Sequence, residues 1–461
     1  MKTKTLLHKS ELAKAPLILV PQYFGSTVFV RRTSKYLPFD VETTALLKRL
    51  KRVPFDTILS EVEEDERRNQ LWRFFEHFYE LGFFTIENKF AGTILDVEIP
   101  EKHLVGPLAV HLEVVAACTL KCKHCFADIL PRKEKRLTFA ELDRLFATLA
   151  RMGTFRVGLT GGEPLLRRDI FDIIDLATSY GLHACITTNG LLITEEIARE
   201  FGKRELIWLN VSLDGATAQT NDLIRGTGTF DAVIERLKIL SKHTPFTLAF
   251  TIMRQNLAQI QACAELAYEV GAQTAVFRPL YPVGIARHNL ELMPTFAEYN
   301  HALNLLANLE EQNKLELCSL DPFSAQTRQE SQSFIHQNYG CGAGNSVCSI
   351  SVSGEMNPCS FLGPAFVAGN IRDSSFEELW HNSQGFRTIR ALPGGTEETF
   401  NGGCRARSLV FKDSINAPDP WVTAKEISEP NHLLKPSSAK TLYHPMSILE
   451  LSAMPTKSLG G

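Results

Sequence analysis

Between residues 107 and about 310 the chain alternates with a regularity that few folds accommodate. Six apolar, β-branched runs read as strands: "AVHLEVVAA", "RVGLTGG", "HACITTNG", "LIWLNVSLDG", "FTLAFTIM" and "TAVFRPLYPVG". Helical stretches separate them: "TFAELDRLFATLARMG", "RDIFDIIDLATSYG", "TEEIAREFG", "TFDAVIERLKILSK" and "AQIQACAELAYEVGA". Such a repeat predicts an α/β unit with a parallel sheet and outer helices, either an open doubly wound sheet or a partial barrel. In both, chemistry gathers at the carboxyl ends of the strands. The unusual local sequences stand there: cysteines after the first run, "GGEP" after the second, "TTNG" after the third and "SLDG" on the fourth.

The flanks differ. In 1–100, "STVFVRRTSKYLPFD" alternates like a hairpin, and "VETTALLKRLKR" has helical spacing behind Asp40, a suitable N-cap. "FDTILSEV" and "DERRNQLWRFFEHFYELG" read as two more helices, and "FFTI" (83–86) as a closing strand. The barrel unit is expected over 105–310. Residues 311–425 turn Gly-, Cys- and Ser-rich, and 426–461 reads as a loose tail. A net charge of −3 over 461 residues gives no electrostatic footprint for nucleic acid or an anionic membrane. "APLILVP" is too short and too Pro-bounded for a signal peptide, and no stretch has the apolar length of a membrane span. A cytoplasmic chain is expected, whose ten cysteines are thiols or metal ligands rather than disulfides.

"CTLKCKHC" (118–125) places three cysteines in one short loop. A cuboidal iron–sulfur cluster takes four thiolates, so three would leave one iron open to a small molecule that chelates through an amine and a carboxylate. A zinc knuckle using His111 or His124 as fourth ligand, or plain buried thiols, would read the same way on spacing alone.

Taken with "GGEP" (161–164) and "SLDG" (212–215) in that order, the loop resembles the radical S-adenosylmethionine (SAM) enzymes over about 107–290. The resemblance implies a partial (β/α)6 barrel, a 4Fe–4S cluster on Cys118, Cys122 and Cys125, and SAM on the open iron. It places His124 near the adenine. Gly161, Gly162, Glu163 and Pro164 would lie along the methionine moiety, Thr188 and Asn189 as weaker contacts, Ser212 and Asp214 at the ribose, and Arg225 on the SAM carboxylate. The implied chemistry is homolytic: one electron splits SAM into methionine and a 5′-deoxyadenosyl radical that abstracts a substrate hydrogen. Taken singly, Gly161-Gly162 is also a tight turn with Pro164 at a helix start, and Arg225 a surface ion pair.

"CGAGNSVCSISVSGEMNPCSFLG" (341–363) and "GGCRARS" (402–408) resemble the SPASM/twitch-like auxiliary-cluster module, whose seven ligands are not all present. Cys341, Cys348, Cys359 and Cys404 suffice for one auxiliary 4Fe–4S cluster; zinc, or loss of metal, would fit the same four. Cys185, Cys263 and Cys318 are expected on a strand, on a helix and near a helix end, as core thiols. The N-terminal order resembles the small α+β, winged-helix-like PqqD element, in which a leader peptide adds a strand to the sheet edge; a simple cap on the barrel is the competing reading. The whole layout, "FGSTVFVRRTSKYLPFD" ahead of "GPLAVHLEVVAACTLKCKHC", resembles maturases of precursors with nitrogen-fixation-type leaders. These include spliceases, which excise tyramine at a Tyr-Gly site and leave a β-amino-α-keto residue. The partners implied are a precursor peptide, a small accessory protein, and an electron donor such as flavodoxin or ferredoxin. Two other readings stand beside this one: a radical SAM enzyme acting on a tetrapyrrole, and a non-catalytic zinc and peptide-binding scaffold.

Overall fold

The structure, a computed structural model, describes residues 9–127, 135–312, 316–319, 341–392, 403–422 and 447–448. It opens on α1 (Lys9–Lys14) and the strands β1 (Leu17–Gln22), β2 (Gly25–Val30) and β3 (Lys35–Phe39). Three helices follow: α2 (Val41–Leu50), α3 (Phe55–Ser60) and α4 (Asp65–Glu80). Asp40 caps α2 by accepting from the Thr43 N–H, and α4 ends before Gly82. The expected closing strand at 83–86 does not form. Phe84 makes only an isolated bridge with Phe90, and the sheet is closed by β4 (Thr93–Ile94), parallel to β1, in the order β3–β2–β1–β4.

This small sheet is buried on both faces. Leu17, Leu19, Val28 and Phe39 point into a core shared with Leu47, Phe74 and Phe78 of the helices. Ile18, Val20, Phe29 and Tyr36, the alternate positions, belong to the core of the large unit. Polar bonds lock the same junction. The Tyr36 hydroxyl donates to the Gly153 carbonyl (3.2 Å) and accepts from the Phe155 N–H (2.6 Å). Arg31 donates to the carbonyls of Leu12, Ala15 and Gly181 and to His183 Nε2.

The large unit runs β5 (Ala109–Val115), α5 (Phe139–Arg151), β6 (Arg156–Gly161), α6 (Ile170–Ser179), β7 (His183–Thr188), α7 (Glu195–Gly202) and β8 (Leu209–Ser212). It continues with α8 (Ala218–Arg225), α9 (Thr229–Leu240), β9 (Thr247–Ile252), α10 (Ile260–Glu269) and β10 (Thr274–Pro279). All neighbouring strands from β5 to β10 are parallel, as the alternation predicts. Helix starts follow local chemistry: Thr138 and Glu141 form a capping box on α5, and Thr194 and Thr217 cap α7 and α8.

The sheet does not stop at residue 310. After α11 (Phe296–Gln312), β11 (Glu316–Ser319) adds in parallel beyond β10. At the other edge β12 (Val347–Ile350) adds in parallel to β5, followed by β13 (Glu355–Asn357) and β14 (Gly369–Asn370). Cys318, expected near a helix end, therefore lies on β11, in register with Val276. Three further helices are α12 (Phe376–Asn382), α13 (Gln384–Arg390) and α14 (Arg405–Lys412). Trp380 anchors them by donating its indole N–H to the Leu104 carbonyl (2.9 Å). Within the supposed loose tail, Ile448 is 2% exposed and packs into the core of the N-terminal helices. The tail is docked at that residue.

Candidate cofactor site at the carboxyl ends of the strands

β5 leads directly into the three-cysteine loop, and neighbours hold that loop from several sides. The Lys123 N–H donates to the Ile224 carbonyl on α8 (3.0 Å), and the Ala286 N–H donates to the Cys125 carbonyl (3.2 Å). Asn189, after β7, donates to Thr119 Oγ1 (2.9 Å) and to Cys118 Sγ (3.8 Å). Cys118, Cys122 and Cys125 are each partly accessible. Burial pushes the Cys125 thiol up to about 11, against the pull of the Ala127 N–H and Arg225; burial likewise raises Cys122.

Asp214 follows β8 and has no exposed surface. Its Oδ1 accepts from the Thr251 N–H (2.8 Å), while Oδ2 faces Arg225 Nε (2.6 Å) and His124 Nε2 (3.1 Å). Burial alone would raise this carboxyl, but Arg225, His124 and the Thr251 N–H overcome it and hold it below the ordinary range. Burial lowers His124 to about 4, so its ring is neutral at pH 7, with Nε2 turned toward Asp214 Oδ2. Arg225 stays charged against burial because Asp214 and the Cys122 thiol stand beside it. Asp214 thus ties Arg225 and His124 to one another beside the cysteine loop.

Glu163 is also fully buried. Its carboxylate accepts from Thr188 Oγ1 (2.7 Å), the Asn189 N–H (2.7 Å) and the Leu165 N–H (3.1 Å). It braces "TTNG" against "GGEP" rather than presenting oxygen to open space. Gly161 (φ +134°) and Gly162 admit close backbone approach, but of protein: a Cβ would stand 2.1 Å from the Val115 and Ala117 carbonyl oxygens respectively. Pro164 begins a short 3₁₀ turn (Pro164–Leu166), and Ser212 is half-buried at the end of β8. Asn221 and Asn256 carry no motif, yet they fix Asp214. Asn221 Oδ1 accepts from its N–H (3.0 Å) and Asn256 Nδ2 donates to its carbonyl (3.0 Å).

Neither histidine suits a zinc knuckle. His124 Nε2 is turned to Asp214. His111 sits lower on β5, level with Gly158 and Cys185 on the next two strands. Among the described residues, no three His, Cys, Asp or Glu side chains converge tightly enough for a single metal ion. A cubane asks for a looser set, one thiolate to each iron corner. Three accessible thiols on one anchored loop, with the buried guanidinium of Arg225 beside two of them, fit that demand.

The C-terminal cysteines divide. Cys341, Cys359 and Cys404 share one apolar cluster with Val283, Leu362 and Ile389. Cys348 does not join them. It lies on β12, 1% exposed, opposite Val110 of β5 and inside the core of the large unit. The four cysteines expected together are therefore split in this structure, because the alternation of β12 turns Cys348 with Ile350 toward the core.

The radical SAM superfamily pattern matches residues 112–267, and the SPASM iron–sulfur cluster-binding domain matches residues 341–406. The mycofactocin maturase MftC of Mycobacterium tuberculosis is 31% identical over 70% of this chain and 85% of its own length. The chain belongs to the radical SAM superfamily. Membership brings a 4Fe–4S cluster and SAM, and the SPASM domain brings auxiliary iron–sulfur binding. An AdoMet-dependent heme synthase of Methanosarcina barkeri is 32% identical over 68% of this chain and 96% of its own length. Among solved structures, Streptococcus suis SuiB bound to its precursor peptide SuiA superposes with a TM-score of 0.65 at 17% identity. That likeness covers 88% of this chain and 98% of SuiB, and it shows the shared fold.

Proposed function

We propose that this radical SAM protein is a peptide maturase that grips a precursor's leader with its N-terminal unit and modifies the core at the carboxyl face of the barrel. The observation that carries the reading is the N-terminal sheet: its outer strand β3 has no partner strand on its far side among the described residues, and three helices pack beside it. Such an edge accepts an extended peptide as an added strand. The likeness to a mycofactocin maturase, and to a SuiB that holds a precursor peptide, supports a peptide substrate.

Cys118, Cys122 and Cys125 would hold the cluster, with Arg225, His124 and Ser212 facing SAM. When bound there and reduced by one electron, SAM supplies the carbon radical that removes a hydrogen atom from the substrate. The protein's own part is positional. Asp214 fixes the Arg225 guanidinium and the His124 ring, Glu163 fixes the turn after β7, and the buried surroundings limit water's access to a reactive intermediate.

Within this class the reaction proposed is excision of tyramine at a Tyr-Gly site, leaving a β-amino-α-keto residue, with a small accessory protein and a flavodoxin or ferredoxin as partners. The support is the whole-chain layout of the N-terminal unit ahead of the cysteine loop. Mass spectrometry of the adjacently encoded precursor after co-expression tests it. A loss equal to tyramine is expected; deuterium uptake without other mass change, or loss of two hydrogens, would replace excision by epimerisation or crosslinking. The likeness to a heme synthase favours a second reading, oxidation of a tetrapyrrole side chain. Substrate-dependent formation of 5′-deoxyadenosine with a tetrapyrrole, and none with precursor peptide, would establish that reading instead.

A further inference from the structure

We infer that His111, on the inner wall of the barrel, selects the substrate's reacting side chain by accepting a hydrogen bond from the phenol of a tyrosine. The inference rests on the peptide reading above and adds to it the residue that chooses the side chain.

The alternation of the strands gives the barrel two unlike walls. Val110, Leu112, Val157, Leu159, Ala184 and Ile186 are buried in the core. His111, Gly158 and Cys185 form one row across three parallel strands and point the other way, into the lumen. Gly158 and Cys185 are part-exposed and His111 is exposed, although β5 is flanked by β12 on one side and β6 on the other. Exposure on an inner wall means that the lumen holds open space.

That space is a cup. The N-terminal unit closes its base, where Arg156 donates to the Ser34 carbonyl and His183 faces the Ser34 hydroxyl, one inner row below Gly158 and Cys185. The cysteine loop stands at its mouth, directly after β5. His111 lies four residues below Val115, the last of β5, a depth of about 13 Å at 3.3 Å per residue. A side chain as long as tyrosine's reaches the His111 row while its own backbone stays nearer the mouth. A serine or threonine hydroxyl would have to bring its backbone down with it.

The chemistry of the row suits a neutral donor. Burial, helped by Arg278, lowers His111 to about 4, so at pH 7 the ring is neutral and one nitrogen accepts. Glu113, two residues on along the same wall, repels a second carboxylate, and Arg278 repels an amine or guanidinium. Gly158 leaves a slot between the ring and the thiol. A Cβ there would stand 3.4 Å from both His111 Cδ2 and Cys185 Sγ, so the edge of a flat ring enters without displacing either. A phenol brings the flat ring and the O–H together.

The test uses the full chain, reconstituted with iron and sulfide and supplied with SAM, and precursors carrying Tyr or Phe at the reacting position. His111→Phe keeps a ring and removes the acceptor, whereas His111→Gln keeps an acceptor. With the tyrosine precursor, kcat/KM for 5′-deoxyadenosine formation should fall about tenfold in His111→Phe and by less than about threefold in His111→Gln. The phenylalanine precursor should cost the unaltered enzyme the same factor and cost His111→Phe nothing further, because the bond is already gone. Losses that multiply, or a His111→Phe enzyme that handles the tyrosine precursor as the unaltered one does, would overturn the inference. Iron content and the binding of a synthetic leader, read by fluorescence anisotropy, should not move in either variant; a drop in either would make His111 part of the scaffold instead. If the unaltered protein forms no precursor-dependent 5′-deoxyadenosine, the peptide reading falls and this inference with it. Ordinary turnover with multiplied losses removes the role of His111 alone.

Discussion

A carboxylate without exposed surface survives ionised only while its partners stay in place, and Asp214 depends on three of them. Asp214→Asn keeps the shape and deletes the charge, leaving Arg225 buried beside a neutral amide. Breaking a buried pair from one side costs about 3–5 kcal/mol, which chemical denaturation would register; the same variant should load iron poorly because the cysteine loop loses its brace. Glu163→Gln replaces an acceptor of three bonds by an amide that turns its NH₂ toward a donor. A loss of about 1–3 kcal/mol is expected in the same measurement. Cys122→Ala should abolish release of 5′-deoxyadenosine from SAM under reduction, read by chromatography, since a centre short of one thiolate does not hold the cluster. These site residues were legible because chemistry demands rare residue types at fixed spacing. Their surroundings were less so: "GGEP" and "SLDG" stand out, but nothing in them says that Glu163 and Asp214 are buried against partners of the protein's own. Asn221 and Asn256 have no signal at all, since a buried asparagine is spelled like an exposed one.

At the level of elements, the junction between the N-terminal sheet and the barrel turns on His183. Arg31 donates to its Nε2, so the ring must carry its proton on Nδ1, which faces the Ser34 hydroxyl. Burial, with Arg31 and Arg156 nearby, lowers His183 from 6.5 to about 4. Because the folded value lies below the unfolded one, this contribution to stability is complete above about pH 6.5 and is lost as pH falls toward 4. Amide hydrogen exchange in β2 and β3 should accelerate over that window, and His183→Gln should remove the pH dependence. The barrel strands were legible from their period, whereas β1 was not. Burial on both faces makes "LILVP" an unbroken apolar run with no alternation to reveal a strand, and β4, two residues long, carries no pattern.

Over the whole molecule, the two cores are not separable units. The inner face of the N-terminal sheet completes the barrel core, with Phe29 stacked on Phe155 at 4.9 Å. Deleting residues 1–95 would expose that apolar face, so a truncated chain should melt at lower temperature and aggregate whatever its substrate; a calorimetric scan checks this. Competition with a synthetic leader is the fairer way to ask what the unit binds. The architecture as a whole was legible because six repeats admit few solutions, while the packing of one unit on another leaves no mark in either segment alone.

The lock formed by Tyr36, Arg31 and His183 lies where β6 and β7 begin, and the cysteine loop lies where β5 ends. On the reading proposed above, grip and reaction fall at opposite poles of a wall whose longer strands span six or seven residues, about 20 Å at 3.3 Å per residue. A guest held at the lower rim must spend at least that length of extended backbone climbing to the upper one. Precursors with fewer than about six residues between the gripped stretch and the altered one should bind with undiminished affinity and emerge untouched. The enzyme would then choose its residue by tether length.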